Sequence, residues 1–546
     1  MEHPEWLNKP SPNHAPDFIH DSYYHLFCFN TPYLDILAAQ VEEVMQMFKP
    51  TGIFLDICDV RTCYCHWCIK SMKKLGLDPN NPDEVRRHGE MVYDEFCRRM
   101  IEAVRKYDPD TNIFFNCGTI RRGRRDLALR NTHYELESLP TGGWGYDHFP
   151  MSAAYARTLG MDYLGQTGKF HTSWGEFGGF KHPNALRYEA ALALAFGAKC
   201  SVGDQLHPRG RMNISTYKLI GNAYSYVEKV EGYYKGAKPV ADIAILSGVS
   251  GSVSDSDTGA HRILLESKYL FDIVDGEADF SGYRLLVLPD SVMPTAELEA
   301  KLRSYLASGG KILATGDACT GGDGFIFDFG AKFEGKNDYS PTYMRPCSDE
   351  GFINGVTEYV MYGPAYNITV TGGKAIAELI EPYFNRTPEH FCSHQHAPNR
   401  PNGARVGAVV TENTGYIAWK VFADYATKGE LHAKELVLRV LRELFPDSER
   451  TVRASLPDRG IVTLYRQGSR DVLNALFAYT SVRGKGTEVI EGAVPIYDVE
   501  FEVKRNAAPA RVYTAPEGKE LKFEYSGGVV KFTLPKLLIS QIVIIE

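Results

Sequence analysis

The sequence predicts an α/β protein with three regions: a barrel-type region of repeated βα units, a small doubly wound sheet and a terminal antiparallel β domain. Up to about Lys238, short apolar β-type runs alternate with longer amphipathic segments, which is typical of a parallel sheet with helical crossovers. A second βα pattern begins after Pro239, and from Val452 onward strands follow one another with Gly, Pro and charged turns between them. The predicted boundaries are 1–238, 239–446 and 447–546.

The first region contains five predicted strands, each with a polar or small residue at its carboxyl end. In an α/β barrel that end carries the active site. The strands are 52–57, 112–117, 133–138, 162–166 and 199–204, and their polar ends are Asp56, Asn116, Glu137, Gln166 and Asp204. The helices between them include 83–106, which the Asn81-Pro82 pair begins, and 184–196, which Gly197 ends.

The second and third regions are predicted from the same periodicities. Strands 241–246, 283–288 and 311–315 alternate with helices 260–271 and 295–308, which predicts a doubly wound sheet, and helix 432–444 closes this region. Alternating strands such as 460–465, 499–503 and 529–534 predict the antiparallel β domain.

Composition excludes several classes of protein. With 546 residues, roughly 150 per domain predicts three or four domains. A net charge of −8 without long like-charge blocks excludes a nucleic-acid footprint, and no apolar stretch approaches the roughly 20 residues of a membrane helix. The amino terminus has neither the basic start nor the apolar run of a signal peptide, so we expect a cytoplasmic protein.

Three cysteines stand in a C-x-C-x2-C run just after the first predicted strand: Cys63, Cys65 and Cys68. This spacing favours a tetrahedral structural zinc with a fourth ligand from elsewhere. The candidates for that ligand are Cys28, Cys58 and His66. The alternative is a set of unpaired, partly buried thiols, because free cysteine packs as a small apolar residue.

Two carboxylates are the candidate catalytic groups. Asp56 ends the first strand, and Glu176 lies in a glycine-rich segment, 165–179, with His171 and Trp174. Other strand-end loops carry the candidate sugar-binding residues Trp144, Asp204 and His207. Without a phosphate loop or a hydride-cofactor fingerprint, this set predicts glycoside hydrolysis, in which Asp56 attacks the sugar and Glu176 protonates the leaving oxygen. The alternative for each residue taken singly is a capping or ordinary loop role.

Four motifs give the chain a family resemblance. They are TGKFHTSWGEFGG (167–179), GDQLHP (203–208), EPYFNRT (381–387) and HFCSHQH (390–396). With them the chain resembles, over essentially its whole length, bacterial α-L-fucosidases of glycoside hydrolase family 151 that carry a β-galactosidase-type trimerisation domain. The resemblance implies a (β/α)8 barrel, a flavodoxin-like trimerisation domain, a small β domain and a homotrimer.

Two related families bear on the site residues. Family 42 β-galactosidases bind zinc through three cysteines in a C-x-C-x2-C loop and one in an earlier segment that Cys28-Phe-Asn-Thr-Pro32 resembles, which favours Cys28 as the fourth ligand. In family 29 fucosidases the nucleophile is the aspartate of a Trp-Phe-Asp-Gly motif, and Phe54-Leu-Asp56 is similar to it, although the glycine is absent here. The Asn-Glu pair of the family 42 acid is also absent, which argues against β-galactosidase chemistry.

Three functions follow as hypotheses. The first is a retaining exo-α-L-fucosidase on short oligosaccharides, for which Asp56 and Glu176 must lie about 5–5.5 Å apart. The second is a β-galactosidase or other terminal-sugar hydrolase of the same layout. The third is an inactive carbohydrate-binding or scaffold protein.

The barrel itself is predicted to be incomplete. Only five βα units precede the second region, and the first visible strand matches the family's fourth. At roughly 30 residues per unit, about 100 residues that the relatives carry are missing ahead of Trp6. We therefore expect an N-terminally shortened form that is poorly active and associates through its open sheet edge.

Overall fold

The computed structural model describes residues 2–15, 25–247, 254–322, 324–400 and 403–546. By its internal contacts the chain divides into two compact units, residues 1–120 with 126–135 and residues 121–125 with 136–546. Among the helices of the described residues, none has both the length and the apolar character that a membrane span requires.

The first unit packs helices on two parallel strands, β1 (Gly52–Leu55) and β2 (Asn112–Phe115). The inward side chains of the strands meet helices α1 (Tyr33–Phe48) and α3 (Pro82–Arg105) in a core centred on the fully buried Phe96. Asn81 caps α3 as predicted, because its side chain accepts a hydrogen bond from the main chain of Asp83 at 3.0 Å. The remaining helices in this stretch of the chain are α2 (His66–Lys74) and α4 (Arg125–Ala128).

A three-stranded sheet in the order β3-β4-β5, in which β4 and β5 are parallel, comes next along the chain. Its strands are β3 (Tyr134–Glu137), β4 (Tyr163–Gly168) and β5 (Lys199–Gly203), and its helices are α5 (His148–Ala156), α6 (Pro183–Ala195) and α7 (Ile214–Val230). The five strands predicted for the first region of the chain are therefore present, with bounds shifted by at most two residues.

A mixed sheet follows, whose parallel half has the strand order 2-1-3-4-5 of a doubly wound fold. In chain order its elements are β7 (Ile243–Leu246), α8 (Asp255–Glu266), β8 (Phe271–Val274), β9 (Leu285–Leu288), α9 (Ala296–Ala307), β10 (Lys311–Thr315) and, after an insertion, β19 (Thr414–Ile417), α10 (Val421–Lys428) and α11 (Leu431–Leu444). The inserted strands are β11 (Thr320–Gly321), β12 (Gly324–Phe325), β13 (Ala331–Lys336), β14 (Thr342–Pro346), β15 (Tyr359–Met361), β16 (Tyr366–Val370), β17 (Lys374–Ile380) and β18 (Arg405–Val410).

The carboxy-terminal region forms two antiparallel sheets and a separate hairpin. One sheet has the order β20-β25-β28-β27, and the other has the order β26-β29-β22-β21-β6. The strands are β6 (Lys238–Pro239), β20 (Val452–Ala454), β21 (Ile461–Gln467), β22 (Arg470–Phe477), β23 (Ser481–Arg483), β24 (Thr487–Val489), β25 (Ile496–Lys504), β26 (Val512–Ala515), β27 (Phe523–Ser526), β28 (Val529–Leu537) and β29 (Ile539–Ile545). The sheet that contains β22 and β29 also packs on α6 and α7, which ties this region to the βα units.

One predicted helix is wrong in its bounds. The segment 260–271 is not one helix, because α8 starts at Asp255, ends at Glu266, and is followed by β8 from Phe271. Lys268 has a φ of 56°, a left-handed conformation that stops the helix, and the apolar run after it enters the sheet. The antiparallel strands β11–β18 were absent from the prediction.

Candidate active site and metal centre

Four buried cysteines of the first unit converge on one point: Cys28, Cys63, Cys65 and Cys68. Their sulfur atoms all lie within 4.8 Å of one another, and the Cys28 and Cys68 Sγ atoms are 3.4 Å apart. Hydrogen bonds from Cys28 lower the pKa of the Cys65 thiol and that of the Cys63 thiol. Four sulfurs at a tetrahedral zinc, with Zn–S near 2.3 Å, would be about 3.8 Å apart. The donor set and its spacing therefore fit a metal ion.

The other two candidates for the fourth ligand lie outside this cluster. The Cys58 thiol donates to the main-chain oxygen of Asp56 at 3.4 Å, and it packs in the core of α1 and α3. His66 begins α2, where its ring contacts Trp67 with centroids 3.6 Å apart. The cluster thus contains Cys28, as the family 42 comparison implied, and neither Cys58 nor His66.

Asp56 follows β1 in the first unit and is fixed by two donors. Its Oδ1 accepts a hydrogen bond from Asn116 Nδ2 at 2.8 Å and one from the main-chain N–H of Ile57 at 2.9 Å. The two strands pair in register up to Leu55 and Phe115, so Asn116 follows β2 at the position that Asp56 occupies after β1. Asn116 is buried. The parallel pairing therefore sets an amide donor beside the carboxylate, and both of these hydrogen bonds go to Oδ1.

Ile57, directly after this carboxylate, has a φ of 56°. This left-handed conformation is uncommon for any residue with a Cβ and is a genuine outlier for a β-branched one. It is the position at which the family 29 motif has glycine. The chain therefore keeps a glycine-type backbone turn after Asp56 with an isoleucine in it.

Glu176 lies in the second unit, in the segment 169–181 that we call the Glu176 loop. Its Oε2 accepts hydrogen bonds from the main-chain N–H groups of His171 at 2.7 Å and Thr172 at 3.1 Å, and its Oε1 accepts one from Thr172 Oγ1 at 2.8 Å. Burial acts to raise the pKa of Glu176, but the hydrogen bonds from Thr172 and His171 outweigh it, so the pKa lies below its usual value. In this arrangement the carboxylate is ionised and fastens its own loop.

Two buried lysines hold the ends of the Glu176 loop. Lys169 Nζ donates to the main-chain oxygens of Glu176 and Gly179, both at 3.1 Å. Lys181 Nζ donates to Glu189 Oε2 at 2.8 Å and to Thr167 Oγ1 at 2.9 Å. Both lysine residues are buried, so these hydrogen bonds anchor the two ends of the loop in the protein interior.

Trp174 of the same loop packs over a pair of glycines at the carboxyl ends of β4 and β5. Gly168 and Gly203 are partners in the parallel register. A Cβ on Gly168 would lie 2.4 Å from Phe170 Cδ2 and 3.1 Å from Trp174 Cζ3, and one on Gly203 would lie 3.0 Å from the same indole atom. Only glycine at these two positions lets the aromatic rings approach the strand ends.

The remaining sugar-binding candidates lie on neighbouring loops of the second unit. Trp144 is 40% exposed at the centre of the Trp144 tip (143–145), and its ring contacts His148 edge-on with centroids 4.9 Å apart. A Cβ on Gly142 would lie 2.5 Å from the main-chain oxygen of Thr172, so this loop touches the Glu176 loop. Asp204 and His207 follow β5, and the His207 ring contacts Phe177 at 5.7 Å.

Comparison with solved structures identifies the family. The chain superposes on alpha-L-fucosidase isoenzyme 2 from Paenibacillus thiaminolyticus with a TM-score of 0.96 and 45% sequence identity, over 100% of this chain and 85% of that chain. The chain belongs to this α-L-fucosidase family. It is a glycoside hydrolase, as the four sequence motifs predicted.

More distant structures share the fold of this fucosidase family member. The β-galactosidase from Bacillus circulans sp. alkalophilus matches with a TM-score of 0.70 and 13% identity, over 100% of this chain and 86% of that chain. The β-galactosidase from Rahnella sp. R3 matches with a TM-score of 0.65 and 14% identity, over 100% of this chain and 85% of that chain. No family model and no curated protein matches the chain.

Several polar residues that contact the candidate catalytic groups or hold their loop were not predicted from the sequence. Asn116 was noted only as a strand end, although its place after β2 marked it as the neighbour of Asp56 in a parallel pair. Lys169 stands in the first of the four family motifs but was not singled out, and Lys181 and Glu189 gave no signal, because a buried lysine or glutamate cannot be distinguished from a solvated one in the sequence until its partner is known.

Proposed function

We propose that the protein is a retaining exo-α-L-fucosidase acting on short oligosaccharides, with Asp56 as its nucleophile. The observation that carries the proposal is the fixed carboxylate at the end of β1, in a chain of the α-L-fucosidase family. Asn116 and the Ile57 N–H hold Oδ1, so Oδ2 attacks the anomeric carbon while the bond to the leaving oxygen breaks. Water then cleaves the glycosyl ester and returns α-L-fucose.

The test of the nucleophile is a trapping and rescue experiment. A 2-deoxy-2-fluoro-α-L-fucosyl fluoride should label the peptide that contains Asp56, and Asp56→Asn should lower turnover by about 10³-fold or more because an amide forms no glycosyl ester. In Asp56→Gly, added azide should restore cleavage and yield β-L-fucosyl azide, since azide enters from the side that the carboxylate left. A label elsewhere, or near-normal turnover by Asp56→Asn, would show that another group attacks.

Glu176 is proposed as the acid/base. Its hydrogen bonds from His171 and Thr172 favour the ionised form, so protonation of the leaving oxygen requires the carboxyl group to exchange these partners for a proton. If it is the acid, Glu176→Ala should lose activity on phenyl fucosides with poor leaving groups and keep it on 2,4-dinitrophenyl fucoside. Equal losses on both substrates would assign Glu176 to loop structure alone. Glu137→Gln serves as the control for Glu176→Ala, because it removes a different carboxylate, at the end of β3.

The aromatic and imidazole groups of the second unit are proposed to bind the sugar. Trp144 and Trp174 offer rings for the apolar face of fucose, and His171, Asp204 and His207 offer polar groups for its hydroxyls. The buried Trp174 Nε1 has no hydrogen-bond partner among the described residues, which suits donation to a hydroxyl of the substrate. Each aromatic residue changed to alanine should raise KM for the fucoside.

The second candidate function is β-galactosidase or another terminal-sugar activity, because the two β-galactosidases compared above share the fold. A panel of nitrophenyl glycosides separates the candidates. Turnover of the α-L-fucoside alone supports the proposal, and turnover of the β-D-galactoside alone replaces it. Sugar binding without turnover of any glycoside would instead identify an inactive carbohydrate-binding protein.

We further propose that Cys28, Cys63, Cys65 and Cys68 hold one structural zinc ion. We also propose that the chain has a barrel region (1–238), a flavodoxin-like region (239–446) and a β region (447–546), and that it forms a homotrimer through the flavodoxin-like region. The four-sulfur set supports the zinc. Seven of the eleven cysteines are buried and none forms a disulfide among the described residues, which suits a reducing compartment, so we propose that the enzyme is cytoplasmic. Sedimentation equilibrium at micromolar concentration should give three times the 61.1 kDa chain mass, and a monomer would contradict the trimer.

A further inference from the structure

The Trp144 tip is shaped by glycine and held on both of its sides. Gly143 and Gly145 have φ values of 91° and 74°, which only glycine adopts at little cost, and they turn the exposed indole outward. A glycine-flanked tip has little stiffness of its own. Within the tip, the Gly145 N–H donates to the Pro140 oxygen at 3.2 Å, and the Trp144 ring contacts His148, so the direction of the ring also depends on how residues 140–142 and 146–148 are held.

The β23–β24 hairpin of the carboxy-terminal region supplies that grip. Strand β24 packs against the 3-10 turn Pro140–Gly142, directly before the tip. On the other side, Glu488 of β24 accepts a hydrogen bond from the main-chain N–H of Tyr146 at 3.2 Å. One hairpin, more than 300 residues away in the sequence, thus contacts the chain on either side of Trp144.

A row of alternating charges continues from this contact. Arg459 donates to Glu488 Oε1 at 3.2 Å and lies 3.5 Å from Asp147 Oδ1, and Arg262 of α8 donates to Asp147 Oδ2 at 2.6 Å. The side chains of Glu488 and Asp147 are only 19% and 24% exposed, so these bonds are less screened than surface ion pairs. Each residue in the row contacts the next, so loss of one charge weakens the hold on 146–147.

We infer that Glu488 and Arg459 are positioning residues for the Trp144 tip, so that the carboxy-terminal region sets the affinity of the enzyme for its sugar. The inference rests on the proposed function, in which Trp144 binds fucose. A ring that stacks on the sugar equally in the ground and transition states contributes to KM, with little effect on kcat. Loss of the contacts that hold the Trp144 tip should therefore also change KM.

The experiment compares Glu488→Gln with a control on the same hairpin, Arg483→Met. Arg483 pairs with Glu491 on the surface, where both side chains are about half exposed, and such a pair contributes little. We expect Glu488→Gln to raise KM for nitrophenyl α-L-fucoside about tenfold, the factor for one charge-assisted hydrogen bond, and to change kcat less than twofold. Arg459→Met should act similarly, and Arg483→Met should leave both constants unchanged.

A double variant and a fluorescence readout complete the test. In the double variant Trp144→Phe/Glu488→Gln the effects on KM should be less than additive, because both substitutions act through one ring. Iodide quenching of Trp144, measured as the difference between each protein and its Trp144→Phe counterpart, should rise about twofold in Glu488→Gln. The inference would be overturned if the effects on KM were additive, if quenching were unchanged, or if Arg483→Met raised KM as much as Glu488→Gln does. A change in quenching with an unchanged KM would also overturn it. If the wild type cleaves no fucoside but quenching still changes, the proposed function fails and the positioning of the ring stands.

Discussion

Changing Lys181 to methionine should release the Glu176 loop, because the Glu189 carboxylate would remain buried without its cation. The Lys181 side chain is 0% exposed and that of Glu189 is 5% exposed, with Nζ and Oε2 2.8 Å apart. At an effective dielectric constant of 20, the Coulomb part of this pair is about 6 kcal/mol. Desolvation of the two ions offsets part of it, and removing one partner of such a pair costs about 3–5 kcal/mol.

The assay is hydrogen exchange followed by mass spectrometry. A loss of about 3 kcal/mol in the opening free energy of the loop corresponds to exchange at least 100-fold faster in peptides from 169–181. The double variant Lys181→Met/Glu189→Leu should recover most of the protection, because it replaces the ion pair with apolar groups rather than leaving one charge alone. Exchange within threefold of the wild type in Lys181→Met would refute the reasoning, since the pair would then contribute little to holding the loop.

Three further predictions concern the metal, the glycine pair and pH. Cys65→Ser should reduce bound zinc, measured by elemental analysis, from one ion per chain to less than half, whereas Cys58→Ser should leave it unchanged because that thiol lies outside the cluster. Gly168→Ala should destabilise the protein by about 1–3 kcal/mol and raise KM by displacing Phe170 and Trp174, whereas Gly221→Ala on α7, where a Cβ meets nothing within 4 Å, should be neutral or stabilising in thermal unfolding. Because the pKa of Glu176 is depressed, exchange protection at His171 and Thr172 should be complete above the ordinary value of 4.5 and be lost as the pH falls through the lower, folded-state value. Glu176→Gln should remove this pH dependence.

The strands that position the site were predictable because their apolar runs are short and end in polar residues. Asp56 was found at a strand end by this pattern, and the C-x-C-x2-C spacing marked three of the four clustered cysteines. Family resemblance, rather than spacing, selected Cys28 over Cys58, because nothing local to Cys28 indicates a fold that joins it to a cysteine loop more than 30 residues later.

Contacts made late in the chain were not predictable. The bond from Tyr146 to Glu488 spans 342 residues, and a single glutamate on a short hairpin has no pattern that indicates its partner. The helix predicted to run to Phe271 failed for a related reason: the apolar residues after Lys268 suit either element, and pairing with β7 decides for a strand. Glu176 was recognised as a carboxylate in an unusual loop, but its three donors come from the turn of that loop, which periodicity does not describe.

The left-handed Ile57 has a consequence for how this site can change by mutation. The direction of Asp56 depends on a main-chain turn: the N–H of Ile57 donates to Asp56 Oδ1 at 2.9 Å, and the N–H of Cys58 donates to the main-chain oxygen of Asn116 at 2.7 Å. The side chain of residue 57 can therefore vary in size and polarity without changing the orientation of the Asp56 carboxylate, provided that residue 57 keeps its left-handed conformation and the hydrogen bond to Asn116 is retained. Because residue 57 is 38% exposed, laboratory evolution can vary its side chain next to Asp56, the proposed nucleophile, while the main-chain turn is kept.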